Sequence, residues 1–216
     1  MARVRVHCYS MSRDGFVAGP NQSLLNPIGE GADEIHGWIF ETAGGQRLIG
    51  GDPAEGSTGV DDDLFAAGFD GIGATIMGRN MFGPVRGPWL EPQWTGWWGD
   101  EPPFHHEVFV LTHWPRPDEV LEGGTTFHFV TGGVHEALER ATEAAGDLDI
   151  RLGGGARTIR QFLAEGLIDE FHLVRVPVDL GVGERIDTPD AGAGLKGMTL
   201  VEAIDSGPIR HERYVR

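Results

Sequence analysis

Hydrophobic positions alternate with polar ones at the start of the chain and later recur in short blocks. Val4, Val6 and Cys8 alternate with polar residues, which predicts a first strand that gives way to a loop at Tyr9. Short apolar runs bounded by glycine or turn residues predict further buried strands. These strands are expected at 72–77, 108–111, 126–130, 150–153 and 170–178, and a closing hairpin at 198–204 and 209–215.

Helical periodicity separates these predicted strands. Apolar residues at helical spacing predict one short helix within 32–42 and another around Phe65. A longer helix is expected from Val134 to Ala145, where Gly146 ends it, and a further helix follows the glycines that precede residue 156. Because strands and helices alternate along the second half of the chain, the pattern indicates parallel βαβ crossovers with helices on both faces of a central sheet.

The predicted fold class is therefore α/β, with a mixed, mostly parallel central sheet and an antiparallel C-terminal hairpin. A chain of 216 residues suits one sizeable domain, so residues 1–216 are expected to form a single domain. Two stretches rich in glycine or proline interrupt the pattern. Residues 44–59 are expected to be a mobile surface segment or an inserted flap. The tryptophan-rich loop 84–103 is interpreted as an aromatic wall over a pocket, a dimer surface or simple packing.

Composition narrows the classes of function. Acidic residues number 33 against 17 basic ones, a formal charge of −16, which argues against nucleic acid or an anionic membrane as the main partner. The single cysteine, Cys8, excludes an intrachain disulfide and a cysteine-cluster metal site, so no metal is expected. Cys8 is interpreted as a small buried residue. No apolar run approaches the roughly 18 to 20 residues that cross a bilayer, and a cytoplasmic protein is expected.

Three predicted strand ends carry residues that suit a phosphate group. They are Gly78-Arg79, Thr112-His113 and Gly153-Gly154-Gly155. In open α/β sheets, ligands bind beyond the carboxyl ends of the strands. Glycines let a phosphate approach the backbone, and free N–H groups at the start of a helix attract its charge. The triple glycine alone is equally compatible with a tight turn that needs positive φ. The chain lacks the P-loop, H-E-x-x-H and G-x-S-x-G motifs, so an ATPase, a zinc hydrolase and a serine hydrolase are not supported.

An ordered set of motifs resembles a known family. The motifs are Ser-x-Asp-Gly-Phe-Val-Ala after the first strand, Met-Gly-Arg-Asn-Met-Phe from Met77, Val-Leu-Thr from Val110, Gly-Gly-Gly-Ala from Gly153 and Leu-Ile-Asp-Glu from Leu167. In this order they resemble the bacterial dihydrofolate reductase-like proteins, a superfamily that includes the reductase domain of the bifunctional riboflavin-biosynthesis enzyme. The resemblance runs from about residue 3 to Gly183. It implies a three-layer α/β/α sandwich with NADPH lying across the strand ends.

Matched by position, the resemblance also implies cofactor contacts. The expected cofactor-binding residues are Ala18, Gly78, Arg79, Thr112, His113, Gly153, Gly154, Gly155, Ala156, Arg157 and Thr158. The glycine run and Ala156 would cradle the pyrophosphate, with further phosphate contacts from the next two residues. Arg79 and Thr112, together with His113, would contact the adenosine 2′-phosphate and so favour NADPH over NADH. Ala18 would approach the nicotinamide.

The proton donor is chosen among four residues, Asp14, Asp33, Glu34 and His36. His36 is favoured because the unperturbed pKa of histidine suits proton transfer near neutrality. Dihydrofolate reductases hold the pterin with a carboxylate on their first helix, and none of the acidic residues on the comparable helix here can be matched securely to it. Folate is therefore not the expected substrate.

The predicted function is an NADPH-dependent reductase that transfers a hydride to a small heterocycle, imine or conjugated carbonyl compound. Two alternatives stay open. One is a catalytically silent nucleotide-binding or sensor protein on the same fold, and the other is an oxidoreductase that uses a flavin or deazaflavin. A homodimer is expected from the tryptophan-rich surface and the antiparallel tail.

Overall fold

The computed structural model describes residues 2–83, 86–89, 94–186, 195 and 197–216. The strands are β1 (Val4–Ser12), β2 (Ile72–Gly78), β3 (Glu107–Leu111), β4 (Glu119–Val120), β5 (Thr126–Val130), β6 (Asp149–Gly154), β7 (Glu170–Val176), β8 (Thr199–Ser206) and β9 (Ile209–Val215). The α-helices are α1 (Gly37–Phe40), α2 (Ala43–Leu48), α3 (Val60–Ala67), α4 (Arg79–Phe82), α5 (Val134–Ala145) and α6 (Ala156–Ala164). Short 3-10 helices lie at Asp33–His36, Pro53–Glu55 and Glu122–Gly124.

One mixed sheet contains these strands in the order β4-β5-β3-β2-β6-β1-β7-β9-β8. The neighbouring pairs from β5 to β1 are parallel. β4 pairs antiparallel with β5, and β9 pairs antiparallel with both β7 and β8. The prediction of an α/β fold with a mixed sheet and an antiparallel C-terminal hairpin is confirmed. Within the described ranges, no helix combines the length and the apolar character needed to cross a membrane.

The chain packs into two compact units, and each combines several segments. The first contains the chain up to Arg5, Ser23–Pro27 and Gly71–Ile168, and the second contains Val6–Gln22, Ile28–Asp70 and Asp169–Arg216. Strand β1 contributes its first residues to the first unit and its remaining residues to the second. That residues 1–216 form a single domain stays a prediction.

Aromatic side chains fill part of the core of the first unit. Phe82 is fully buried, and its ring makes edge-to-face contacts with Phe127 and Phe129 at centroid distances of 5.0 and 5.3 Å. The tryptophans that pack against this cluster are Trp89, Trp94 and Trp98. Packing, one of the three interpretations of the loop, thus accounts for these tryptophans. Residues 84–85 and 90–93 of that loop lie outside the described residues.

Helix α5 follows from the spacing of its apolar residues. Its buried residues, Val134, Ala137, Ala141 and Ala145, recur every three or four positions and therefore form one face. The helix packs against β2 and β3. It ends at Gly146, whose φ of 59° lies in the left-handed region that glycine adopts without strain. The predicted helix and its end are confirmed.

In the second unit, the predicted helix within 32–42 is divided. A 3-10 helix carries the fully buried Ile35, and α1 begins directly after it at Gly37, a poor helix former. Trp38 is buried, and its Nε1 donates a hydrogen bond of 2.9 Å to Ser10 Oγ. The apolar face of the prediction is therefore present, although the helix is not continuous.

The ends of β1 and β7 differ from the predictions. The loop expected from Tyr9 was wrong for its first residues, since β1 continues to Ser12. Ser10 and Ser12 are buried there with satisfied hydroxyl groups, because Ser10 accepts from an indole and Ser12 Oγ accepts from Phe16 N at 2.8 Å. β7 ends at Val176, two residues earlier than predicted, because Pro177 has no N–H for the ladder.

The stretch 44–59 contains short helical structure. α2 is capped by Thr42, whose hydroxyl accepts from Gly45 N at 2.9 Å. The two ends of the stretch are joined, since Ala43 N donates to Ser57 O at 2.9 Å and Ser57 N donates to Glu41 O at 2.8 Å. Backbone hydrogen bonds therefore hold the two ends of this stretch together, and its role as a flap stays a prediction.

Candidate functional site

The three strand ends singled out in the sequence lie side by side in the first unit. β3, β2 and β6 are consecutive neighbours in the sheet and run parallel. Their register pairs Gly78 with Leu111 and Met77 with Gly154. The carboxyl ends of all three strands therefore reach the same edge, and the residues that follow them are brought together there.

Gly154 and Gly155 form the turn between β6 and α6. Gly154 has a φ of 119°, a conformation that residues with side chains rarely adopt, and the peptide bond to Gly155 is cis. Gly155 has a φ of −77°, and a Cβ placed on it would meet no atom within 4 Å. The backbone conformation therefore requires glycine at 154, whereas the described part of the chain gives no steric reason for glycine at 155.

Helix α6 begins directly after these glycines. No side chain caps its first N–H groups, so they retain the partial positive charge of a helix start. Ala156 is buried and Arg157 is exposed. Thr158 is buried, and its Oγ1 lies so close to Gly78 that a Cβ there would overlap it. The absence of a side chain at Gly78 thus lets the first turn of α6 pack onto the end of β2.

Gly153 also lies in a close contact. A Cβ on this residue would lie 3.0 Å from Met81 Sδ and 3.1 Å from Met81 Cε, on helix α4. The glycine therefore allows α4 to approach the end of β6. Of the three consecutive glycines, two meet demands of the fold, and Gly155 is the one that borders open space.

Arg79 opens α4 at this edge of the sheet. Its Cζ lies 3.6 Å from the centroid of the Trp89 ring, and its Nη1 donates to Gly83 O at 3.0 Å. The side chain is partly buried, and its Nε has no hydrogen-bond partner among the described residues. Burial, and then the charge of Arg116, lower the pKa of Arg79 to about 10. The guanidinium is still charged at neutral pH, and no carboxylate in the described part of the chain pairs with it.

Arg116 was not singled out in the sequence. Its side chain is 2% exposed, forms an ion pair with Glu119, and donates from Nη1 to Trp94 O at 2.6 Å. Its Cζ lies 4.8 Å from the Trp89 ring, so both guanidinium groups contact this indole. No local motif distinguishes Arg116 in the sequence, because the two tryptophans that it contacts, Trp89 and Trp94, lie more than 20 residues before it.

Thr112 and His113 follow β3 and lie in different environments. Thr112 is 8% exposed, and its backbone N–H donates to Val130 O at 3.0 Å. Its Oγ1 accepts from Trp114 N at 3.1 Å, so part of the hydrogen-bonding capacity of the hydroxyl already serves the turn. His113 is exposed. Both residues follow the strand that neighbours β2, as the sequence predicted.

The loop that contains Ala18 belongs to the second unit. Ala18 is buried and forms an isolated antiparallel bridge with Glu184. Glu184 N donates to Ala18 O, and Val17 N donates to Glu184 O, both at 2.8 Å. Gly183 is required beside this bridge, because a Cβ there would overlap Ala18 O. The loop after β1 is therefore fixed by backbone bonds to residues far along the chain.

Asp14 holds the same loop in place. Its carboxylate accepts from Ser12 Oγ at 2.7 Å, from Gly181 N at 2.7 Å and from Leu180 N at 3.2 Å. These bonds, led by the one from Ser12, lower the pKa of Asp14 to about 2. Asp14 is therefore ionised at neutral pH, and its contacts are those of a residue that positions the loop.

The other three proton-donor candidates share one short 3-10 helix. Asp33 and Glu34 are exposed in its first turn. His36 ends it, and burial lowers the pKa of His36 to about 4. Its Nδ1 is buried without a hydrogen-bond partner in the described residues. The imidazole is thus neutral near pH 7. His36 was favoured as the proton donor because an unperturbed pKa was assumed, and this assumption was wrong.

Known structures share this fold. A putative riboflavin biosynthesis protein from Shewanella sp. PV-4 has a TM-score of 0.58 and 20% identity over 100% of this chain and 99% of that chain. A dihydrofolate reductase from Enterococcus faecalis complexed with NADP(H) and RAB-propyl has a TM-score of 0.51 and 14% identity, over 99% of this chain and 96% of that chain. A pyrimidine reductase-like protein from Corynebacterium diphtheriae has a TM-score of 0.54 and 13% identity, over 99% of this chain and 91% of that chain. A comparison with curated proteins finds no match.

These structural similarities define the class of the fold, which is dihydrofolate reductase-like, as the motifs indicated. The family model described as the RibD C-terminal domain matches residues 6–204, most of the chain. The chain belongs to the RibD C-terminal domain family. The resemblance drawn from the sequence is therefore confirmed.

Proposed function

We propose that this protein is an NADPH-dependent reductase that transfers a hydride to a small heterocycle, imine or conjugated carbonyl compound other than dihydrofolate. Its family and the descriptions of similar structures, among them a reductase complexed with NADP(H) and a pyrimidine reductase-like protein, support this class of reaction. The nicotinamide would supply the hydride. The chain would bind the cofactor, orient the substrate and exclude water.

The observation that carries the proposal is the unpaired charge of Arg79 at an edge where three parallel strands end. A partly buried guanidinium whose Nε has no partner is poorly satisfied by the protein alone. An anionic phosphate would supply the missing acceptor and offset the repulsion from Arg116. The open space at Gly155 and the uncapped start of α6 suit a second phosphate group beside it.

We adopt the cofactor roles that the family resemblance implies. The segment from Gly153 to Ala156 would hold the pyrophosphate, with Arg157 and Thr158 next to it. Arg79 would pair with the adenosine 2′-phosphate, assisted by Thr112 and His113. The nicotinamide would reach the loop at Ala18. Because His36 is neutral near pH 7, we assign it hydrogen bonding to the substrate and not the release of an imidazolium proton.

Titration with NADPH and with NADH, followed by cofactor fluorescence, tests this proposal. We expect saturable binding with a preference for NADPH. Absence of binding by either cofactor at millimolar concentration would rule the proposal out.

The Arg79→Ala variant tests the assigned phosphate contact. Loss of a charge-assisted hydrogen bond corresponds to about 1.5–3 kcal/mol, so NADPH affinity should fall about 10- to 100-fold. NADH affinity should change little, because NADH has no 2′-phosphate. The ratio of the two affinities is the readout, since a general loss of structure would weaken both cofactors equally. Arg140→Ala, which removes an arginine on α5 that pairs with Glu136, serves as the matched control.

A second candidate is a nucleotide-binding protein without turnover. It is favoured by the lowered pKa values of Asp14 and His36, since neither residue is poised to release a proton near neutrality. A panel of reducible heterocycles, imines and conjugated carbonyl compounds discriminates the two functions. NADPH binding without NADPH oxidation on the whole panel would favour the silent protein.

A further inference from the structure

A cluster of histidine and cysteine side chains lies inside the second unit and contains none of the residues assigned above. His7 and Cys8 come from β1, and His172 comes from β7. His172 Nδ1 lies 3.4 Å from His7 Nε2 and 3.7 Å from Cys8 Sγ. All three potential ligand atoms lie within 4.8 Å of one another. Cys8 and His172 are buried, and His7 is partly buried.

Two of these separations suit a tetrahedral metal ion. Zinc binds histidine nitrogen at about 2.0–2.1 Å and cysteine sulfur at about 2.3 Å, so neighbouring ligand atoms around it lie roughly 3.3–3.7 Å apart. The His172–His7 and His172–Cys8 distances already have these values. The carbonyl oxygen of Leu64 is a further possible metal ligand, since it lies 2.6 Å from His7 Nε2 and 3.9 Å from Cys8 Sγ.

A hydrogen-bonded chain behind the cluster fixes the tautomer of His172. Asp61 Oδ1 lies 2.8 Å from His211 Nε2, and His211 Nδ1 lies 3.0 Å from His172 Nε2. An ionised carboxylate only accepts, so His211 donates to Asp61 and in turn accepts the N–H of His172. The lone pair of His172 is thereby left on Nδ1, the atom that faces the other two ligands. A carboxylate–histidine chain of this kind orients metal-binding imidazoles.

Two further features keep the cluster compact. Gly68 has an ordinary helical conformation, yet a Cβ on it would overlap the imidazole of His7, so the ring occupies the place of a side chain there. Cys8 has a φ of 50° in the middle of a strand, a left-handed conformation that is rare for a residue other than glycine. Strained backbone of this type concentrates at functional sites.

We propose that His7, Cys8 and His172 form a binding site for a thiophilic divalent cation, with Zn²⁺ as the best match. One thiolate and two imidazoles are the ligand types that zinc prefers, and burial excludes competing water. Binding releases the thiol proton of Cys8 and shifts the proton of His7 from Nε2 to Nδ1. Leu64 O completes the fourth position. The ion would join β1, β7 and the last turn of α3 within the second unit.

Cobalt(II) titration of tag-free, metal-free protein tests this site. Cobalt bound to a thiolate has a charge-transfer band in the near ultraviolet, and Cys8 is the sole cysteine among the 216 residues, so this band can arise only from Cys8. We expect the band to saturate at one equivalent of cobalt and to disappear on addition of Zn²⁺. Absence of the band in the wild-type protein at millimolar cobalt would overturn the proposal.

Variants locate the ion. Cys8→Ser should eliminate the band while its circular dichroism spectrum stays that of the wild type. Asp61→Asn should weaken zinc affinity about 10- to 100-fold, because it removes the acceptor that orients the two histidines. Asp63→Asn removes the same charge from the same turn of α3 and should leave zinc affinity unchanged. Equal losses in Asp61→Asn and Asp63→Asn would overturn the assigned chain. His128 lies outside the cluster and is flanked by carboxylates. Loss of the band in His128→Gln would overturn the assignment of the cluster as the metal site.

Discussion

Gly154 and Gly155 are neighbours in the chain, but they meet different constraints. Gly154 needs its positive φ, and this requirement is met by glycine whatever ligand binds. Gly155 has neither a positive φ nor a neighbour that a Cβ would touch. A methyl group at Gly155 would therefore enter only the space that we assign to the pyrophosphate.

Substitution of alanine at two glycines separates binding from stability. Gly155→Ala should reduce NADPH affinity about tenfold or more and shift the thermal midpoint little, because the added methyl meets only the ligand. Gly78→Ala should destabilise the fold by about 1–3 kcal/mol, because its methyl overlaps Thr158 Oγ1. Calorimetry and fluorescence titration of both variants give the two readouts. If Gly155→Ala bound NADPH like the wild type, the cradle would lie elsewhere.

At the residue scale, sequence predicted what depends on short spacing. Gly78-Arg79 and the glycine run were found because each motif follows directly from a strand pattern. Trp89 contacts Arg79, and the charge of Arg116 lowers the pKa of Arg79; no local pattern in the sequence indicates either interaction. The pKa of His36 was also beyond the sequence, because it depends on burial by side chains that only the fold brings near.

The 3-10 helix Asp33–His36 should lose stability in acid. The pKa of His36 is about 4 in the folded chain, below the ordinary value of 6.5, so the folded state binds fewer protons than the unfolded state between these values. Stability should therefore fall as the pH decreases from about 6.5 to 4, with His36 contributing at most about 1.4 kcal/mol per pH unit.

Chemical denaturation across this pH range measures the effect. In His36→Gln, the unfolding free energy should depend less steeply on pH than in the wild type. The difference should correspond to at most one bound proton. His135→Gln, which changes an exposed histidine on α5, should keep the wild-type slope. Identical slopes in wild type and His36→Gln would contradict the assigned burial of the neutral imidazole.

Elements with a strong period were predicted well, and irregular ones were not. Helix α5 was predicted to the residue, because the spacing of its apolar residues and the stop at Gly146 indicate the same bounds. β4 has two residues, too few for any period to register, and its pairing with β5 was missed. The extension of β1 was missed because its buried serines resemble loop residues until their hydrogen-bond partners are known.

At the scale of the whole molecule, we propose a homodimer that pairs through β8. This strand ends the sheet, and Leu200 and Val201 on it are 45% and 48% exposed. The tryptophan-rich loop gives this proposal less support, because Trp89, Trp94 and Trp98 pack against the core of their own unit.

Light scattering at micromolar protein should give the mass of a dimer. Val201→Lys should shift the protein toward the monomer, because it places a charge in the pairing surface. Val120→Lys, on the β4 edge where Val120 is 77% exposed, is the matched control and should stay dimeric. A monomeric mass for the wild-type protein would contradict the proposal.

The position of β1 has a consequence for synthesis of the chain on the ribosome. β1 is translated before β6 and β7, but it lies between them in the sheet, and Val4 pairs with Ile150. Neither native neighbour exists until about two thirds of the chain has been translated, on the order of ten seconds later. The same strand carries His7 and Cys8, so the residues that we assign to a metal ion wait in an unpaired segment for the histidine that completes their site.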